Sequence, residues 1–380
     1  IWVLRMVTQR QVQLAPSSLN RPLLGFLAAA LVSWIASYVV LDPNVTLPGN
    51  ILVVQAGQIV IFLLTAAAFF LTANNSPGER MLRVWVGYII LAGVGILVIR
   101  IFTNSYNFIN TWSGSLLTWP FVLLFAQILF NPKMGRWIKI AGLGALAVWA
   151  YWVWAVTLSY KSAWVPAAGA FLLLTMMKSR RLFLLTLVVI IAAVFVIGPG
   201  QIWNSLLVGE QYSATPIRWT IWADVFRLGA RSALLGLGPV NYTYYWQLTS
   251  FDSLSYQYVN AQAFMRSAYA PPAHNMYADL FAQTGILGLA LFVWAIVAGL
   301  WLGIKVLKRP LTPFQRAYAY GVLAGFAALS VASFVFAEWL MPYVYNLGLK
   351  AFSSSVYSWL LLGTLVGLGS ENSPGAGPAA

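Results

Sequence analysis

The chain is a succession of apolar runs, each close to the length needed to cross a membrane, and that recurrence constrains its fold more than any motif does. A bilayer core asks for about 20 apolar residues per helical span. Ten runs answer to this, near 22–41, 51–73, 82–102, 114–130, 137–158, 163–177, 181–198, 276–304, 316–337 and 351–369. The run at 163–177 is short and needs its flanks to reach across. Hydrophobic residues make up 61% of the chain and charged residues 8%, against roughly 25% charge in an ordinary soluble domain. The expectation is an all-α polytopic membrane protein with about ten transmembrane helices in a single domain. Its parts are N-terminal helices over 1–198, a long partly helical loop over 199–275 and C-terminal helices over 276–370. A Gly/Pro/Ala-rich tail at 371–380 reads as disordered. The opening Ile1-Trp2-Val3-Leu4-Arg5-Met6 reads as the cytoplasmic end of an earlier helix, so further spans are expected upstream.

The net charge of +14 reports orientation and not a nucleic-acid partner. Arg5, Arg10 and Arg21 precede the first run, and Arg80 and Arg83 follow the second. Lys133, Arg136 and Lys139 follow the fourth, Lys178, Arg180 and Arg181 the sixth, and Lys305, Lys308, Arg309 and Arg316 the eighth. All of these fall on one side if ten spans alternate. The opposite short connections hold only Arg100, Lys161 and Lys350, while the long loop holds Arg218, Arg227, Arg231 and Arg266. Short loops rich in Lys and Arg stay cytoplasmic, so the long loop is expected outside. With no cysteine, that loop carries no disulfide and the chain no thiolate chemistry.

Ion-coupled transporters place acids, His or Lys near the bilayer centre. Here the runs hold only amides and hydroxyls such as Gln55, Gln58, Gln283 and Thr284, which read as interhelical hydrogen-bonding groups. The charged candidates Arg100, Lys161, Asp279 and Glu338 stand instead at the outer ends of runs. A site at the outer face suits a lipid-linked substrate better than a solute in transit; a non-enzymatic transporter is the reading of another class. Most of the 18 Trp and 18 Tyr, including Trp85, Trp112, Trp119, Trp137, Trp154, Trp164 and Tyr277, read as interfacial belts.

Within the long loop, Thr215-Pro216 precedes a helical stretch from Ile217 to about Arg231. At 100° per residue, Arg218, Ile221, Trp222 and Val225 share one side, and Asp224, Arg227 and Arg231 the other. The second group reads as a solvated face on which Asp224 pairs with either arginine. Arg218 projects with the apolar stripe, and a buried guanidinium needs an anion. That anion is either a carboxylate such as Glu210 or Asp279, or a phosphate, whose oxygens Arg grips two at a time. A glycine-punctuated turn, Leu235 to Tyr242, follows; with no strand before it and no helix start after it, it is no dinucleotide fingerprint. The aromatic stretch Tyr244, Tyr245, Trp246, Tyr256 and Tyr258 could contact an acceptor, shield the site or lie on headgroups. The loop ends Pro271-Pro272-Ala273-His274-Asn275, and His274 is the only histidine in the chain. An imidazole at the mouth of a span is a candidate proton carrier, or a capping residue. A metal role finds no second His, no Cys and no tight acidic cluster, and no Gly-x-Ser-x-Gly elbow is present.

These residues, in this order, resemble the O-antigen ligase / O-antigen polymerase superfamily of bacterial integral-membrane glycosyltransferases. The pieces are Leu158-Ser159-Tyr160-Lys161-Ser162-Ala163-Trp164, then Arg218 and Trp222, then Gly236-Leu237-Gly238-Pro239, then His274-Asn275-Met276-Tyr277 and Gly285-Ile286-Leu287-Gly288. The resemblance implies a GT-C-like helical bundle whose periplasmic loop roofs a cavity at the outer leaflet of the bacterial inner membrane. It implies transfer of a glycan from undecaprenyl diphosphate to an acceptor hydroxyl on a glycan, lipid or protein, without metal, cofactor or nucleotide sugar. Ligase, polysaccharide polymerase and protein O-oligosaccharyltransferase all fall within it. Carried over by position, Arg218 holds the diphosphate, His274 acts at the acceptor hydroxyl as base or binder, and Trp222, Asn275, Tyr277 and Asp279 support them. Lys161 stands where the family's usual residue is Arg, and Arg100 and Arg266 are the alternative cations. One base and direct displacement imply inversion at the anomeric carbon.

Overall fold

The structure is a computed structural model, and it describes residues 8, 14–103, 113–157, 161–200, 215–245, 273–335, 340–344, 349 and 352–369. Arg5, Arg10, Trp112, Ser159, Tyr160, Glu210, Trp246, Tyr256, Tyr258, Arg266, Pro271, Pro272, Glu338, Lys350 and the tail lie outside the described residues. Among those described the chain is helical throughout, without strands.

Helices stand at each apolar run: α1 (Asn20–Ala36), α2 (Ile51–Asn74), α3 (Glu79–Thr103), α4 (Ser113–Phe130), α5 (Arg136–Trp152), α6 (Val165–Lys178) and α7 (Arg180–Ile197). The loop contributes α8 (Thr215–Gly229) and a single turn, α9 (Tyr242–Tyr245). The C-terminal helices are α10 (Met276–Val306), α11 (Pro313–Ala332) and α12 (Phe352–Thr364). Among the described residues, four segments are long and apolar enough to cross a membrane: Ile51–Asn74, Glu79–Phe102, Arg136–Ala155 and Met276–Val306. Helices α1, α6 and parts of α4 and α12 are shorter apolar segments. Local signals place the ends. Thr312 and Gln315 form a reciprocal capping box with Pro313 at the first position of α11, and the Ser179 hydroxyl caps α7 at Leu182 N.

Helix α11 is the axis of the bundle. It packs on α4 and α6 to one side and on α10 and α12 to the other, while α12 lies along α2 and α10 along α1. Close approach relies on small residues, as expected where lipid supplies no hydrophobic drive between helices. The Trp119 ring lies where a side chain on Gly325 would stand, and its indole donates to Ser358 Oγ at 3.2 Å. Trp119 is therefore a core residue and not a belt residue; Trp137 and Trp154 keep exposed rings. Pro120 interrupts α4 in its interior and rests its ring on Gly93 of α3. The outer faces of α3, α5 and α7 leave Leu91, Ile138, Leu185 and Phe195 exposed, a surface suited to acyl chains.

Helix α10 departs from a simple span. Gly285 breaks it, with φ 65 and ψ −169, a conformation essentially restricted to glycine. The break frees backbone groups that the chain following α8 takes up. Ile286 N donates to Ala233 O at 2.8 Å and Leu287 N to Leu234 O at 3.3 Å, while Leu237 N donates to Ala282 O at 2.8 Å and Gly238 N to Gln283 O at 3.1 Å. Ser33 Oγ adds a bond to Gln283 O at 2.6 Å. Broken helices persist at membrane depth only where neighbours satisfy the freed backbone. The run after the break is roughly 20 residues long, enough to span the hydrocarbon core alone. The glycine-punctuated turn is thus not a surface loop but a wedge in the break, and one helical turn (α9) does follow it.

Gly285→Ala is expected to lower the unfolding midpoint of the detergent-solubilised protein by the equivalent of ~2 kcal/mol or more, because a Cβ there meets Leu234 O at 2.3 Å. Gly144→Ala in α5, where nothing lies within 4 Å of the added carbon, should instead raise it by about 0.5–1 kcal/mol. Tryptophan-fluorescence melts of both variants measure the contrast.

Candidate functional site

The inward face of α8 is as expected from its periodicity. Ile221, Trp222, Val225 and Leu228 are buried with Leu237, Val240, Tyr242, Ala273, Ala278 and Tyr343. Trp222 Nε1 donates to Ala273 O at 2.7 Å, and its ring meets Phe334 edge-on at 5.7 Å. Arg218 is placed on α8, one turn before Trp222 on the same face; its side chain lies outside the described residues. The helix carrying Arg218 is therefore tied directly to the residue preceding His274.

His274 is held from both sides. The carbonyl before it accepts from Trp222, and the amide after Asn275, Met276 N, donates to Ser333 O of the α11 C-cap at 3.0 Å. His274 has a left-handed backbone, φ 49, where His occurs more often than most residues. Val240, in the wedge, is the other such non-glycine residue among those described, with φ 61. Each such residue costs on the order of 1–3 kcal/mol, and both stand beside α8. Asn275 is the N-cap of α10, its Oδ1 accepting from Tyr277 N at 3.0 Å and Ala278 N at 3.1 Å.

The remaining expected residues divide into two groups. Tyr277 donates its hydroxyl to Ser330 O at 2.8 Å, and Tyr242 donates to Asp279 Oδ1 at 2.7 Å, so the first turn of α10 is tied to α11 and to α9. Lys161 is 5% exposed and opens a short 3-10 turn, Lys161–Ala163, packed on α4. Arg100 lies 5.1 Å over the Trp152 ring. Helices α4 and α6 run against α11, with Trp119 at Gly325 and Gly169 facing Ala328, so their first turns approach its C-terminal end. Lys161, Arg100 and His274 therefore lie toward one end of the bundle. The basic loops gather at the other end. There Arg309 donates to Val366 O and Leu368 O, Arg83 lies over Phe314, and Lys178 over Phe130.

The polar face of α8 differs from expectation. Asp224 pairs with Arg227, but Arg231 reaches Asp42 at 2.9 Å. Asp224 is 3% exposed, so its carboxylate does not lie on a solvated face. Burial pushes the Asp224 carboxyl above its ordinary range, against the pull of Arg227. Tyr244 and Tyr245 are buried in α9, so they are not open to an acceptor or to headgroups; Tyr245 accepts from Asp42 N at 3.0 Å. Sequence reasoning missed one chain of amides beneath the wedge. Trp34 Nε1 donates to Gln55 Oε1 at 2.8 Å, Gln55 Nε2 to Asn241 Oδ1 at 2.8 Å, and Asn241 Nδ2 to Leu237 O at 2.8 Å. The polar residues inside apolar runs were the available signal. Gln58 serves likewise, donating to Pro342 O and accepting from Val344 N.

The arrangement is that of a multi-pass helical membrane protein in which α8 is tied to a histidine turn at one end of the bundle. A family model described as O-antigen ligase matches residues 119–293 of the chain. The matched segment runs from α4 past the break in α10 and includes Lys161, Arg218, Trp222, His274 and Asn275. No curated protein matches the chain.

Trp222→Phe keeps the ring but strands a buried carbonyl at Ala273. It is expected to destabilise the detergent-solubilised protein by about 1–3 kcal/mol, read from its thermal or denaturant midpoint, whereas exposed Trp219→Phe should change it by less than ~0.5 kcal/mol.

Proposed function

We propose that the protein is a membrane glycosyltransferase that moves a glycan from a polyprenyl diphosphate, of the undecaprenyl type, to an acceptor hydroxyl at the periplasmic face of the bacterial inner membrane. The family match supports glycosyl transfer of the ligase or polymerase type. The observation that carries the residue-level reading is the Trp222–Ala273 hydrogen bond, which brings the helix of Arg218 to the turn of His274. The acceptor oxygen attacks the anomeric carbon, and the bond from that carbon to the diphosphate oxygen breaks. The polyprenyl diphosphate departs with the electron pair, and the acceptor proton passes to His274. Arg218 holds the departing diphosphate, and Lys161, with Arg100 or Arg266, adds positive charge at the same membrane end. A sugar diphosphate is already activated, so fixed cations at a poorly hydrated interface and one base suffice. Direct displacement gives inversion.

The gathering of basic loops at the far end supports ten crossings with that end cytoplasmic. The lack of ionisable groups in mid-span argues against ion-coupled transport.

The test is turnover of a polyprenyl-diphosphate glycan by purified protein with a panel of hydroxyl acceptors. His274→Ala should lower kcat by about 10²–10⁴-fold, and Arg218→Ala by about 10²–10³-fold. Lys161→Arg should keep turnover, since a fork replaces a point charge. Wild-type rates in both alanine variants, or retention at the anomeric carbon, would refute the mechanism. Because the chain has no cysteine, Asn44→Cys and Lys308→Cys can be labelled singly in sealed vesicles. Reaction from opposite sides is expected, and labelling of both from one side overturns the topology.

A further inference from the structure

The first turn of α10 uses every backbone donor it has. Met276 N is bound to Ser333 O, Tyr277 N and Ala278 N to Asn275 Oδ1, and Asp279 N to Asn275 O at 3.0 Å. A helix N-terminus ordinarily attracts anions through such amides and through its dipole. Here the amides are spent and only the dipole remains. Yet the N-cap residue keeps a donor in reserve. Asn275 is 0% exposed, and its Nδ2 has no hydrogen-bond partner among the described residues. The two N–H groups that grip Oδ1 settle which end of the amide is oxygen, so Nδ2 is a donor turned away from its own helix. It adjoins His274, on the segment that Trp222 ties to α8.

A buried donor without an acceptor lowers stability, and a group of this kind in a native protein calls for a reason: strain, a catalytic role, or a water or ion that it holds. Asp and Ser cap a helix as well as Asn does, and neither carries an amide N–H, so capping alone does not require this side chain. We infer that Asn275 has two functions: its oxygen caps α10, and its Nδ2 donates to an anionic oxygen of the bound donor's diphosphate beside His274. This inference rests on the proposed use of a lipid diphosphate. The positive end of the α10 dipole favours an anion over a neutral hydroxyl at this position. A preorganised neutral amide gains on charge that builds as the diphosphate departs, without the desolvation cost of another cation.

Asn275→Ser and Asn275→Asp both keep the cap and remove the amide donor, the serine leaving only a shorter hydroxyl, and the aspartate also sets a negative charge against the phosphate. Both variants of the full chain should melt within about a degree or two of wild type, since cap rankings are close. Affinity for undecaprenyl diphosphate in detergent, and turnover of the glycan-bearing donor, are the readouts. Loss of one such donor should cut turnover by about 10²–10³-fold in the serine variant, with a larger loss and weaker binding in the aspartate variant. Unchanged melting with wild-type affinity and turnover in both variants overturns the role of Asn275 and leaves the transferase standing. If wild type binds undecaprenyl diphosphate, both variants bind it more weakly, and no acceptor is ever glycosylated, the transferase reading falls and the amide contact survives. A wild-type protein that does not bind the diphosphate overturns both.

Discussion

An unpaired backbone group inside an apolar bundle is the cost this fold is arranged to avoid, and the interlock at Gly285 shows how. Breaking α10 exposes carbonyls at Ala282 and Gln283 and amides at Ile286 and Leu287. The chain after α8 supplies four backbone bonds to them, two in each direction. Neither partner is satisfactory alone: the wedge needs the break for its amides, and the break needs the wedge. The glycines on each side allow the contact, since a Cβ on Gly236 would meet Gln283 backbone at 2.5 Å. Once the wedge is seated, α8 is fixed, and through Trp222 so is the turn at His274.

Polar side chains inside the bundle serve the same constraint. Gln55, Gln58, Asn241 and Ser33 bond chiefly to non-helical backbone and to one another at the His274 end of the bundle. Their hydrogen bonds hold non-helical segments against helices, which apolar packing alone does not specify. The expected interhelical role of these groups is thus right in kind, with loops as the main partners. Thr284 differs, since its hydroxyl returns to Leu280 O in its own helix. Strain collects in the same place, at Val240 and His274, where packing from α8, α10 and α11 overdetermines the backbone.

The helices were legible because apolar run length sets them, and the buried face of α8 because a period of 3.6 residues sets it. Ile221, Trp222 and Val225 fall where that period puts them. Less legible were contacts between segments far apart in sequence. The pairing of Arg231 with Asp42 and the burial of Asp224 depend on how α8 and the turn after it pack on the rest of the chain, which no local pattern encodes. Trp119 shows the same limit: a tryptophan near the end of an apolar run reads as interfacial, yet Gly325 makes room for it in the core.

By itself the sequence determined a polytopic helical protein, its asymmetry of basic loops and the order of motifs from Lys161 to Gly288, since hydrophobic length and charge placement act locally. It also marked His274 by its singularity. Only the tertiary structure decided that the Gly236–Pro239 turn enters α10, that Trp222 grips Ala273, and that Asn275 keeps one amide hydrogen pair unspent. Those facts follow from matching donors to acceptors across the whole bundle, and the matching exists only after the helices have packed.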